Sequence, residues 1–108
     1  MHDLPKPIAD YFMADRSKNA ETVAKAFTEN AIVVDERQTY KGRPEIQRWK
    51  RESSTKYEYT SEPFAIETLD GRIVVTSHLV GNFKGSPLDL RYFFVLEGDK
   101  IASLEIIP

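Results

Sequence analysis

Asp35 is the residue whose place in the sequence best suits proton transfer. It closes the run Ala31-Ile-Val-Val-Asp35, which reads as a short strand with apolar side chains on both faces and therefore covered on both sides. A carboxylate ending such a strand loses part of its hydration, which raises its pKa and makes it a better base near neutrality. Asp35 also reads as a strand-end side chain bonding the next turn. Asp89-Leu-Arg91 places two opposite charges on one strand face, within reach of Glu105 on the neighbouring strand, and an ordinary cross-strand ion pair accounts for them. His78 falls in mid-strand near Thr76 and Val80. On a concave face it would be a pocket donor or an acid–base partner; elsewhere it is a hydrogen-bonded structural residue. Trp49, Tyr57, Tyr59 and Phe93 are candidates to line an aromatic pocket for a flat or cyclic ligand, although core packing explains each as well. The segment Lys41–Lys56 carries six basic and two acidic side chains. It is expected to be a solvated helix face, with an anionic partner as the sharper alternative.

The elements that must position these residues divide the chain in two. Pro7 opens a helix to about Ser17, with Ile8, Tyr11 and Phe12 on one face. Asn19 suits the N-cap of a second helix, Ala20–Phe27. After the Ala31–Asp35 strand, Gly42 and Pro44 introduce a third helix, about Pro44–Ser53, with Ile46 and Trp49 as its apolar positions. From Tyr57 the period becomes two. Pro63 interrupts the run and shifts the apolar phase to Phe64 and Ile66, which predicts a bulge. Asp70-Gly71 predicts a hairpin into Ile73–Phe83. Strands Leu88–Leu96 and Lys100–Ile107 follow, joined at Gly98-Asp99. Helices first and strands after them is the order of an α+β domain.

Composition narrows the chemistry further. With 108 residues the chain is expected to form one domain, residues 1–108. Fifteen basic against seventeen acidic side chains, net −2, with no long basic run, argue against nucleic acid as partner. There is no cysteine, and His2 and His78 are the two histidines, so neither a thiolate site nor a multi-histidine metal centre is expected. No run approaches the ~20 apolar residues of a membrane span. The first residues lack an apolar signal core, and a cytoplasmic protein is expected. No Gly-rich phosphate loop, GxSxG elbow, HExxH or calcium loop occurs, so no cofactor and no metal are expected.

Three segments carry a resemblance: Ala26-Phe-Thr-Glu-Asn-Ala-Ile-Val-Val-Asp35; Tyr40-Lys-Gly-Arg-Pro-Glu-Ile46 with Trp49; and Gly81-Asn-Phe-Lys-Gly-Ser-Pro-Leu88 through Phe94-Val-Leu-Glu-Gly-Asp-Lys-Ile101. Over nearly its whole length the chain resembles the nuclear transport factor 2-like superfamily, in its SnoaL-like and ketosteroid-isomerase-like branch. The resemblance implies a cone in which three helices pack on a strongly curved, mostly antiparallel sheet enclosing a pocket, and a homodimer through the sheet's outer face. It places Asp35 at the catalytic Asp of ketosteroid isomerases and Tyr11 at their oxyanion-hole tyrosine. Tyr11 also reads as a core aromatic beside Ile8. The second Asp of that oxyanion hole falls near Arg91, so the donor pair is broken. A guanidinium there would stabilise an enolate, bind an acidic substrate, or pair with Asp35 and quench it. Limonene-epoxide-hydrolase-like relatives use an Asp-Arg-Asp set, whose order and spacing Asp89-Leu-Arg91 matches poorly.

This scaffold hosts many activities, so fold alone does not settle function. Three readings follow. One is a cofactor-free acid–base enzyme acting on a small, largely apolar carbonyl compound, of isomerase, cyclase or lyase type. The others are a small-molecule binder with the same pocket, and a dimerisation module whose cavity is filled by its own aromatics. A dimer is expected on separate grounds. Leu88, Leu90, Tyr92, Phe94 and Leu96 share their strand with Phe93 and Val95 on the other face, and three short helices cover one face of a sheet.

Overall fold

The computed structural model describes residues 4–108, so His2 lies outside the described residues. Helix α1 spans Lys6–Arg16 with Pro7 in its first turn, where the missing N–H costs nothing. Ile8, Tyr11, Phe12 and Asp15 fall at i, i+3, i+4 and i+7 and form its buried stripe. Helix α2, Ala20–Lys25, is capped as expected, the Asn19 side chain accepting from the Thr22 N–H at 3.0 Å. Strand β1 (Phe27–Asp35) pairs with β2 (Gln38–Lys41), and helix α3 (Arg43–Lys56) follows Gly42. Gly42 sits at φ 84, in the left-handed region that glycine enters freely. Strands β3 (Tyr59–Leu69), β4 (Arg72–Gly81), β5 (Leu88–Glu97) and β6 (Lys100–Ile107) complete the chain.

The six strands form one sheet in the order β2-β1-β6-β5-β4-β3, antiparallel except where β1 runs parallel to β6. The sheet curls around the three helices, giving the α+β cone expected from the sequence. Its inner face carries Val33, Val75, Tyr92, Phe94 and Leu104 into one core with Ile8, Tyr11, Phe12, Val23 and Ile46. The bulge at Pro63 is present as a register shift between Pro63 and Ala65 against β4, and Phe64 is left exposed. Asp70 and Gly71 form the expected turn at φ 53 and 77.

Three details differ from the sequence reading. Strand β2 was not foreseen. Its hairpin turns on Glu36 and Arg37, both at positive φ (52 and 66), without the Asn or Gly that normally marks such a turn. Strand β1 begins at Phe27, four residues before Ala31. Polar Thr28, Glu29 and Asn30 hide this stretch, and the register against β6 shifts between Phe27 and Ile32. Nor is β1 covered on both sides within this chain, since Ile32 is 40% exposed on the outer face.

Candidate active site

The open end of the cone holds a cavity of about 770 Å3, within the range of small-molecule sites. Every structural layer contributes to its wall: Tyr11 from α1, Asp35 from the end of β1, Tyr40 from β2, and Trp49, Lys50 and Ser53 from one face of α3. The curled strands add Tyr59, Leu79, Leu88, Leu90, Tyr92 and Ile106, while Tyr57 and Phe83 stand at the mouth with their rings edge to face at 6.3 Å. Among the described residues no helix is long and apolar enough to cross a membrane, and no group of three or more His, Cys, Asp or Glu is placed to hold a metal ion.

Asp35 is held where a base would be useful. Its Oδ2 accepts a hydrogen bond from the Trp49 indole N–H at 3.0 Å. Burial pushes its carboxyl above the usual 3.8, and the neighbouring Glu36 charge acts the same way. The Trp49 hydrogen bond, the Lys50 charge and the Glu36 backbone N–H pull it back without cancelling the rise. Glu36 and Glu52 also border the cavity but are exposed.

At the floor lies an ion pair that the sequence reading missed. Lys50 Nζ stands 2.8 Å from Asp15 Oδ1, and both side chains are 4% exposed. The Tyr59 hydroxyl donates to the same Asp15 oxygen at 2.7 Å, and the Lys50 ammonium donates to the Tyr11 hydroxyl at 3.2 Å. The ammonium also lies over the Trp49 ring, 4.3 Å from its centroid. Burial, reinforced by the Asp15 charge, drives the Tyr11, Tyr59 and Tyr92 phenols well above their ordinary value. These hydroxyls therefore stay protonated and serve as donors. Asp15 is engaged by Lys50 and Tyr59, which leaves Asp35 as the half-buried carboxylate of the cavity wall.

The structure brings together Tyr11, Asp35, Trp49, Tyr57 and Tyr59. It separates His78, Arg91 and Phe93 from them. Residues 88, 90 and 92 of β5 face the cavity, so strict alternation turns Arg91 and Phe93 to the outer face. Pairing of Thr76 with Arg91 and His78 with Asp89 puts His78 there too. The expected pocket roles of these three residues are therefore corrected. Arg91 cannot quench Asp35; its guanidinium, with that of Arg72, covers the Phe93 ring. His78 Nδ1 lies 2.7 Å from Asp89 Oδ1 and Arg72 pairs with Glu105 at 3.3 Å, while Arg91 donates to the Pro108 carbonyl at 3.3 Å, so Asp89 and Glu105 find cross-strand partners other than Arg91. The expectation that Lys41–Lys56 is a solvated face fails at Lys50, which is 3% exposed. A signal for the missed pair was present. Asp15 continues the Ile8-Tyr11-Phe12 stripe at i+7, and Lys50 follows Ile46 at i+4, so each puts a charge on an apolar helix face.

No protein-family model and no curated protein matches the chain. Solved structures do. A proposed polyketide cyclase from Sinorhizobium meliloti is 31% identical, with 97% of this chain and 96% of that one covered and a TM-score of 0.91. A hypothetical protein with a ketosteroid isomerase-like fold from Catenulispora acidiphila, in complex with trimethylamine, is 18% identical over 98% of this chain and 87% of that one, TM-score 0.85. TerC, co-crystallised with polyporic acid, is 16% identical over 94% and 87%, TM-score 0.79. The identity and near-complete coverage of the first, and the shared fold of the others, agree with the cone and its cavity: this chain belongs to the nuclear transport factor 2-like superfamily, in the SnoaL-like and ketosteroid-isomerase-like branch.

Proposed function

We propose that the cavity binds a small, largely apolar cyclic carbonyl compound and that Asp35 is the general base that moves a proton on it, without a cofactor. The observation that carries this reading is the Asp35 carboxyl on the wall of a cavity otherwise lined mainly by aromatic and aliphatic side chains, with its proton affinity raised by burial. A base works best when its pKa approaches the working pH, and partial desolvation moves Asp35 in that direction. Tyr11 acts as the hydrogen-bond donor to the carbonyl oxygen, since its hydroxyl accepts from Lys50 and keeps its own proton to give. Trp49 orients the Asp35 carboxylate, and Tyr57 and Tyr59 shape the wall. That the Catenulispora protein is found in complex with trimethylamine and TerC was co-crystallised with polyporic acid supports small-molecule binding by proteins of this fold.

The test is exchange of α-protons for deuterium, followed by NMR, over a panel of cyclic ketones and lactones. The wild type is expected to accelerate exchange of at least one compound, and Asp35→Asn to lower that rate by about 10²–10⁴-fold while the compound still binds. Equal rates in the two proteins would sink the reading. A second reading is a binder without turnover, favoured by the existing Trp49–Asp35 hydrogen bond, which already occupies one carboxylate oxygen. Binding without exchange in the wild type would select it.

A further inference from the structure

Two cations at the mouth of the cavity, Lys56 and Lys84, take no part in the proton transfer proposed for Asp35. Lys56 is the last residue of α3, and Lys84 stands in the turn between β4 and β5. Both line the cavity and both are exposed. Among the described residues neither forms an ion pair. Lys56 also ends the basic segment for which the sequence offers an anionic partner.

Their positions are fixed by the mouth itself. The Lys56 ammonium lies over the Tyr57 ring, 5.1 Å from its centroid, and Tyr57 meets Phe83, the neighbour of Lys84, edge to face. The turn that carries Lys84 is pinned at both ends. The Asn82 N–H donates to the Glu58 carbonyl at 3.0 Å, and Asn82 Oδ1 accepts from the Glu58 N–H at 3.0 Å. Ser86 Oγ accepts from the Gly81 N–H at 2.9 Å. An arriving anion therefore has two side chains to order and no loose loop, which keeps the entropic cost of binding small.

The charges of the mouth are segregated. Asp35, Glu36 and Glu52 all act on the Tyr40 phenol, which places them towards the β1–β2 hairpin, where Arg37 also stands. Glu52 precedes Lys56 by four residues, the spacing of a helical ion pair, yet the two are not paired. Glu36 is the acid whose field reaches Lys56, and it forms no pair with it either. Lys50 is engaged by Asp15 at the floor, and the Pro108 oxygen is held by Arg91. The aromatic edge Tyr57–Phe83 is thus flanked by two ammonium groups that nothing in the cavity lining neutralises.

We propose that Lys56 and Lys84 form an anion subsite at the cavity mouth, and that the ligand is a cyclic compound carrying a carboxylate at the end left outside the apolar wall. A carboxylate at the rim stays partly hydrated, so it loses little solvation while two ammonium groups attract it. The inference rests on the carbonyl-cavity reading above and narrows its substrate class.

The test compares 2-naphthylacetate with its neutral relative 2-naphthylacetamide, by calorimetry at neutral pH and low salt. The proteins are the wild type and Lys56→Gln/Lys84→Gln. Both lysines are exposed, so the substitutions leave the core intact, and Asp35 is present in both proteins. The amide reports the cavity and is expected to bind the two proteins alike. Preference for the acid over the amide is expected to be at least about threefold greater in the wild type, as two exposed charge contacts allow. That excess should shrink in about 0.5 M salt. An equal preference in the two proteins, with the amide bound, would overturn the subsite and leave the cavity reading standing. Failure of both probes to bind the folded wild type would overturn the two together.

Discussion

Breaking the buried pair Asp15–Lys50 one residue at a time should damage the protein more than removing the pair. Lys50→Gln leaves the Asp15 carboxyl without its cation in a site where its side chain is 4% exposed, with the Tyr59 hydroxyl as its remaining donor. An unpaired buried charge of this kind costs about 3–5 kcal/mol. Asp15→Asn strands the Lys50 ammonium in the same way, softened by the Tyr11 hydroxyl and the Trp49 ring. The double variant replaces two charges with two amides of similar size, so its cost should fall well short of the sum of the singles. The shortfall should be at least about 2 kcal/mol. Urea denaturation at neutral pH reads this directly, since a loss of about 3 kcal/mol moves the midpoint of a small domain by about 1 M or more. Costs that add within about 0.5 kcal/mol, or a Lys50→Gln midpoint indistinguishable from wild type, would refute the argument that the pair is buried and mutually dependent.

Other outcomes follow from the same geometry. The Asp35 carboxyl is raised above 3.8 by burial, so the folded state binds its proton more tightly than the unfolded state. Stability is therefore lost as pH rises from about 4 through the folded pKa, and the cost of holding the carboxylate ionised persists at neutrality. Asp35→Asn should then be more stable than wild type at pH 7, with the difference shrinking below about pH 4; a constant difference across that range in thermal melts would contradict it. A Cβ on Gly81 would fall onto the Glu58 carbonyl and the Tyr59 side chain. Gly81→Ala should cost about 2 kcal/mol or more and weaken binding by displacing Tyr59, and a neutral substitution by urea melt would count against the close β3–β4 approach. The outer sheet face leaves Ile32 40% and Val80 47% exposed, and a second copy of the chain is the proposed cover. Sedimentation at micromolar concentration should give twice 12.4 kDa, and a monomer mass would remove that proposal.

Much of the architecture is readable from periodicity because each element buries one face. The Ile8-Tyr11-Phe12 spacing, the Asn19 cap, the Pro63 interruption and the Asp70-Gly71 turn each have a local physical cause, and each appears where that cause places it. Strand β2 escaped because Glu36 and Arg37 adopt left-handed conformations that their residue types do not announce. The site was half legible. Asp35, Tyr11, Trp49, Tyr57 and Tyr59 converge on one cavity, but Arg91, His78 and Phe93 turn outward, since moving one residue along a strand reverses the face. Lys50 was hidden for a different reason. In a helix with six basic side chains in and around it, charge count points to solvent, and only the position at i+4 from Ile46 reveals the buried one.

The most direct measurement is the titration of the Asp35 carboxyl carbon by NMR in the free protein, with Trp49 Nε1–H followed in the same samples. A midpoint clearly above 3.8, with the indole proton shifting at the same pH, is the result expected of a partly desolvated base held by Trp49. A midpoint at or below 3.8 would mean a well-solvated or strongly paired carboxylate, and would contradict the assignment of Asp35 as the base of this cavity.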